Sequence, residues 1–261
     1  MNYVPGDLRD QLAHVGYDVV QAGLVCGSGG NLSARIPDED AIWVTAAGSW
    51  LDRLSRATFT AVRVSDGAPT TVGNVPAPRI ETSPRIGTSP RETSPRIETS
   101  PRETSPRTDT SPRTDTTPRI EPTSELALHL ALYRARPDVN AIIHLHPQTA
   151  LLLDALGEHI RIVTTDHAFY LRRVSTVPFR LPGSLELAAL VAAMAADGTD
   201  CLVLSHHGSV VLGDSVEMAH KRARNLEEAA QLTYRAVEAG RLENLRDCPD
   251  EFVNRLDRVT V

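Results

Sequence analysis

The sequence predicts an α/β fold of three layers: a central mixed, largely antiparallel sheet with helices on both faces. Three observations lead there. Apolar residues recur at helical spacing near both ends of the chain, short β-branched segments bounded by turn residues lie between them, and the order of helices and strands neither alternates strictly nor segregates.

Leu8, Leu12, Val15 and Val19 fall on one side of a 3.6-residue period, so residues 6–22 are expected to open the fold as an amphipathic helix. AIWVT at 41–45 and TFTAVRV at 58–64 are rich in β-branched and aromatic residues and read as strands. In SELALHLALYRARP, 124–137, Ser124 stands where an N-cap is wanted and Pro137 where a helix has to stop. NAIIHLHP at 140–147 reads as a buried strand. RIVTT (161–165), VSTVPF (174–179) and DCLVLSHHGSVVLG (200–213) supply further short strands, with a helix over 185–196 between the last two. Val216, Ala219, Ala223, Leu226 and Ala230 make the apolar stripe of a long helix over 215–239.

With 261 residues and 41% hydrophobic content, the chain reads as one domain, 1–261, interrupted by an insertion at 76–122. There a Thr/Ser-Pro-Arg unit recurs every five or six residues, as in ETSPRIGTSPRETSPRIETSPRETSPR. Regular proline removes backbone donors, and the near absence of aliphatic side chains leaves nothing to bury, so a disordered loop is expected. An Arg-rich docking site or a set of Ser-Pro phosphorylation sites is the sharper alternative.

The net charge of −6 argues against a general nucleic-acid partner, which calls for surplus Lys and Arg, but leaves room for a small anion at a local site. Cys26, Cys201 and Cys248 are too few and too scattered for a disulfide framework and fit a reducing compartment. MNYVPGDLRDQL is unlike a signal peptide, and no stretch reaches the roughly 18 apolar residues of a membrane span. The cytoplasm is therefore the expected location, with no membrane partner.

The strongest chemical signal is His144-Leu145-His146. Side chains two apart on a strand leave the same face, so these two imidazoles can converge on one metal ion. LVLSHHGSVVL adds His206 and His207 before Gly208; strand neighbours point to opposite faces, so one of this pair is expected to join the first two. Three imidazoles leave a coordination position open, as in catalytic zinc sites, and zinc is the first choice although another divalent metal also suits imidazole.

Two stretches have the makings of an anion site. In VCGSGGNLSAR, 25–35, Gly27, Gly29 and Gly30 let the backbone approach a ligand while Ser28 and Asn31 supply donors. The stretch lacks both GxGxxG and GK[ST], and an ordinary tight turn is the plainer alternative. Thr123-Ser124-Glu125 sits at a helix start, where free amides and the helix dipole favour a phosphate; a merely capped helix is the alternative.

The succession GSGGN, WVTAAG, T-S-E, HLHP, HHG and a long final helix resembles the class II aldolase and adducin family, most closely its L-fuculose-1-phosphate aldolase type. The likeness covers nearly the whole chain in order, the repeat excepted. It implies a class II aldolase-like fold, His144, His146 and His207 as zinc ligands, Glu125 as the acid/base residue, and a phosphate pocket of Ser28, Asn31, Gly48, Thr123 and Ser124. The implied reaction is cleavage of a ketose 1-phosphate, L-fuculose 1-phosphate or a 5-deoxypentulose 1-phosphate, to dihydroxyacetone phosphate and an aldehyde. Sister reactions of the family, a pentulose 5-phosphate 4-epimerase or a methylthioribulose-1-phosphate dehydratase, are the close alternatives, and a non-catalytic adducin-like interaction module is the remote one. A homotetramer is implied as well.

The chain departs from the family at two places. Thr45-Ala46-Ala47-Gly48 stands where those aldolases resemble T-P-T-G, so a phosphate-binding hydroxyl is missing at Ala47. TTDHAFYLRRV, 164–174, does not match the family's Gly-rich loop; Tyr170 or His167 is then a candidate acid, and Arg172 and Arg173 candidate basic contacts, against a packed aromatic and surface arginines.

Overall fold

The computed structural model describes residues 6–72 and 120–259. The disordered loop expected over 76–122 falls outside them except for its last three residues.

Asp7 opens helix α1 (Leu8–Gln21) by accepting the amide of Arg9, and Leu12, Val15 and Val19 form its fully buried side. Three antiparallel strands follow: β1 (Asn31–Arg35), β2 (Ala41–Thr45) and β3 (Phe59–Arg63). After the insertion come α2 (Leu126–Ala135), β4 (Ala141–Leu145), α3 (Gln148–Leu156) and α4 (Thr165–Leu171). The chain continues through β5 (Ser175–Val177), α5 (Leu185–Ala195), the hairpin of β6 (Cys201–Leu204) and β7 (Gly208–Gly213), α6 (Val216–Glu238) and α7 (Asp250–Val259).

The sheet runs β3-β2-β1-β4-β7-β6-β5, and only β5–β6 is parallel. Strand alternation builds the two outer layers. Leu32, Ala34, Ile143, Leu145 and Val211 face Val15 and Val19 of α1 and Ala219 and Leu226 of α6. Val44, Ile142, Val210 and Leu212 face Leu128 and Tyr133 of α2 and Val191 of α5. The expected three-layer fold with a mixed, largely antiparallel sheet is the one formed.

Several local expectations need correction. Residues 161–163 join no strand, because their hydrogen bonds go elsewhere: Arg161 N–H donates to Thr233 Oγ1 and the Ile162 carbonyl accepts from Cys248 N–H. Thr164 then caps α4 by accepting the amide of His167 at 3.1 Å. Ser124 is not the cap of α2. It is exposed, and Thr123 Oγ1 accepts the Glu125 amide at 3.3 Å instead. Strand β1 and helices α3, α4 and α7 were not anticipated.

Candidate metal centre

β4 is the middle strand of the sheet and carries His144. Its register sets His144 opposite Asn31 of β1 and Val210 of β7, with the His144 side chain on the α2/α5 face. His146 follows directly after the strand, and His207 closes the tight β6–β7 turn, in which exposed His206 takes φ 56°. One candidate ligand atom from each of His144, His146 and His207 lies within 4.8 Å of the other two, so the structure brings together the three predicted residues and leaves His206 outside.

The ring nitrogens are arranged as metal donors. His144 Nδ1–H donates to the Ser209 carbonyl at 2.9 Å, which leaves the lone pair of Nε2 facing the cluster. That nitrogen stands 3.2 Å from His146 Nε2, close to the roughly 3.3 Å between tetrahedral ligands of an ion bound at about 2.05 Å. Two lone pairs at this separation repel unless a cation or a proton lies between them. Burial holds all three imidazoles in the neutral, coordinating form: His144 is driven well below the ordinary histidine range, His207 to about 4, and His146 downwards. His207 Nδ1 is buried with no hydrogen-bond partner. The donor set therefore fits a divalent ion that accepts imidazole.

Glu125 enters from the start of α2, its Oε1 3.9 Å from His207 Nε2. It is 5% exposed, Oε2 has no partner, and burial raises its carboxyl above the ordinary range, opposed by a hydrogen bond from the Gly183 amide. A carboxylate so desolvated is poised to take up and release a proton.

The glycine-rich turn closes over the histidines. A Cβ on Gly29 would stand 2.9 Å from His146 Nδ1, and one on Gly30 would stand 2.6 Å from the His144 carbonyl, at φ +81°. The other two predicted turns are stitched to it: Leu32 N–H donates to Thr45 Oγ1, Thr123 N–H to the Thr45 carbonyl, and Ala47 N–H to the Glu121 carbonyl. Thr123 is buried and Ser28, Gly48 and Ser124 are exposed, Gly48 with φ +70° in the turn after β2.

The 164–174 segment lies on the other side. Tyr170 belongs to α4; its carbonyl accepts from Arg222 of α6, and its ring meets Phe169 and the Lys221 ammonium. Arg173 is engaged by Asp197 and Thr199, and His167 is buried with no hydrogen-bond partner for either ring nitrogen, its Nε2 standing 4.0 Å from Glu228 Oε2. No hydrogen bond or ring contact among the described residues ties Tyr170 to the histidine cluster.

The profile of the class II aldolase and adducin N-terminal domain matches residues 10–234. The chain belongs to this family. Among members of the class II aldolase family, an L-fuculose phosphate aldolase of Methanococcus maripaludis is 35% identical over 114 residues, 44% of this chain and 61% of the relative. A 3-oxo-tetronate 4-phosphate decarboxylase of Escherichia coli K12 is 33% identical over 138 residues, 48% of this chain and 65% of the relative. In both cases less than two thirds of the relative's length is spanned. The solved structure of an L-fuculose 1-phosphate aldolase superposes with a TM-score of 0.71 at 20% identity, covering 99% of both chains, which establishes the class II aldolase fold.

Sequence reasoning missed three residues around this candidate centre. Asp154 and Glu227 hold the segments that carry the histidines, and His129 lies beneath Asn31. None had a local signal: each acts on a residue at least fifty positions away.

Proposed function

We propose that the chain is a zinc-dependent aldolase that cleaves a ketose 1-phosphate, L-fuculose 1-phosphate or a 5-deoxypentulose 1-phosphate, to dihydroxyacetone phosphate and an aldehyde. The observation that carries this reading is the convergence of His144, His146 and His207 beside the buried carboxylate of Glu125. An interaction module has no use for that combination.

The three imidazoles would hold the ion, which supplies a fixed positive charge against which the enediolate develops in the transition state. Glu125 would carry the proton at the substrate carbon, with Oε2 unengaged and burial raising its carboxyl above the ordinary range. Ser28, Asn31, Thr123 and Ser124, with the backbone at Gly48, would anchor the phosphate and so fix the reacting carbons relative to Glu125. No arginine or lysine belongs to this set, so the phosphate would be held by neutral donors. Assembly as a homotetramer in the cytoplasm completes the proposal. Among the described residues no helix is long and apolar enough to cross a membrane.

The decarboxylase relative favours a second reading, in which the same site releases carbon dioxide from a 3-oxo acid phosphate and leaves the same kind of enolate. The test is to incubate zinc-loaded protein with L-fuculose 1-phosphate, 5-deoxyribulose 1-phosphate and 3-oxo-tetronate 4-phosphate, following dihydroxyacetone phosphate and carbon dioxide. Under the aldolase reading dihydroxyacetone phosphate appears, and Glu125→Gln slows its release by about 10²–10⁴-fold. Carbon dioxide alone would move the function to the second reading, and failure to bind zinc would remove both.

A further inference from the structure

His129 belongs to no motif, yet it is one of the most deeply buried polar side chains in the molecule, with 0% exposure. It stands in α2 one turn after Glu125 and faces β1. Its Nδ1 is 2.6 Å from Ser33 Oγ and its Nε2 is 2.5 Å from Asn31 Oδ1, while Ser33 Oγ is 2.9 Å from the Tyr133 hydroxyl. Four side chains from two elements thus form one unbranched chain, and the only member at the glycine-rich turn is Asn31.

The polarity of that chain follows from its Asn31 end. Asn31 Oδ1 can only accept, so His129 must carry its proton on Nε2 and donate it there, which leaves Nδ1 an acceptor. The Ser33 hydroxyl therefore donates to Nδ1, and with its single proton so used Ser33 Oγ accepts from the Tyr133 hydroxyl. The imidazole is neutral, since burial drives it down to about 3. An asparagine whose oxygen is committed in this way has its amide NH2 left for the opposite direction. The reverse polarity would turn the amide around and offer an oxygen, which repels an anion.

We infer that His129 is a positioning residue which, through the Tyr133–Ser33–His129 relay, fixes the amide of Asn31 so that it presents a donor, never an acceptor, to the anionic group of the substrate. This rests on the assignment of Asn31 to the phosphate pocket made above. A phosphate held by neutral side chains depends on each donor being turned the right way, and a free amide would spend half its time reversed if its two orientations were equal in energy.

The test uses the zinc-loaded full chain and inorganic phosphate as probe, by calorimetric titration, on His129→Gln, Ser33→Ala, Asn31→Ala and the His129→Gln/Asn31→Ala pair, with zinc content measured on each. Asn31→Ala is expected to weaken phosphate binding about tenfold, His129→Gln by about three- to tenfold, and the pair no more than Asn31→Ala alone, because residues acting through one contact are not additive. Ser33→Ala, which removes a single oxygen, is expected to shift affinity in the same direction and serves if His129→Gln folds poorly. Long-range proton–nitrogen spectra of the wild-type chain should show His129 protonated at Nε2.

Losses that multiply in the pair, wild-type affinity in both His129→Gln and Ser33→Ala, or a proton on Nδ1 would each overturn the inference while Asn31→Ala remained weak. Wild-type affinity in Asn31→Ala would instead remove Asn31 from the pocket, and the inference with it.

Discussion

Asp154, near the end of α3, accepts the backbone amide of His206 at 2.9 Å, and the same oxygen accepts Ser205 Oγ–H at 3.1 Å. The helix that starts just after His146 is thereby bound at its other end to the turn that carries His207. His206 occupies the left-handed region, which costs a non-glycine residue about 1–3 kcal/mol. Asp154→Ala is expected to loosen the turn and weaken zinc binding about tenfold in a chelator competition, with the fold retained. Wild-type zinc affinity would show that the turn holds itself.

Glu227 of α6 is 4% exposed and caps α3 from outside, accepting Thr149 N–H at 2.9 Å and Ala150 N–H at 3.1 Å. Pro147, the local N-cap, makes no side-chain hydrogen bond. Glu227→Ala leaves two amides without an acceptor and is expected to cost about 2–3 kcal/mol in urea unfolding, whereas Glu227→Gln retains one acceptor and should cost about half as much. Equal losses would show that packing, not capping, is the role of this side chain.

Gly29 and Gly30 should separate binding from stability. At Gly29 the added carbon meets the far end of the His146 side chain, so Gly29→Ala is expected to weaken zinc binding while changing stability by no more than about 1 kcal/mol. At Gly30 it meets backbone in the left-handed region, so Gly30→Ala should lose about 2 kcal/mol or more. Unfolding curves and zinc titration of both variants test the contrast.

Removal of zinc should lower the melting temperature, because an ion that binds only the folded chain stabilises it. At a free concentration a hundred times Kd the stabilisation is about 2.7 kcal/mol. For a domain of this size that corresponds to a shift of roughly 5–10 °C. Calorimetric scans with and without chelator should show the shift in the wild-type chain and lose it in His207→Ala; a shift of the same size in that variant would place the ion elsewhere.

Arg136 bridges Asp138 at 2.7 Å and Asp200 at 2.9 Å, and the first contact holds the Asp138 carboxyl below the ordinary range. A carboxyl lowered in the folded state stabilises the fold above its unfolded value of about 3.9, and that contribution is lost as pH falls through the folded value. Asp138→Asn should therefore melt below the wild-type chain at pH 7, with the gap closing as pH is brought below 4. A gap that stays constant would remove the charge from the explanation.

What the sequence revealed depended on range. His144 and His146 were legible because a strand repeats every two residues, and the layers because Val216, Ala219, Ala223 and Leu226 keep a helical period. β1 was hidden because its α2-facing side is polar: Asn31 and Ser33 are buried by hydrogen bonds to His129, which lies 98 and 96 residues away. α3 was hidden because its cap comes from Glu227, on a later helix. RIVTT has strand composition, but its backbone is claimed by Thr233 and Cys248. The cluster of three histidines was written in short motifs; the residues that orient it were not.

The β4–β7 ladder pairs His144 with Val210 and places His207 at the turn that begins β7. Displacing β4 by one residue would turn His144 to the α1 side, away from His207. An ion that needs both imidazoles can then bind only a chain whose central strands have found their proper alignment. It would act as a proofreader during folding, rewarding the correct pairing and leaving the slipped one to unravel.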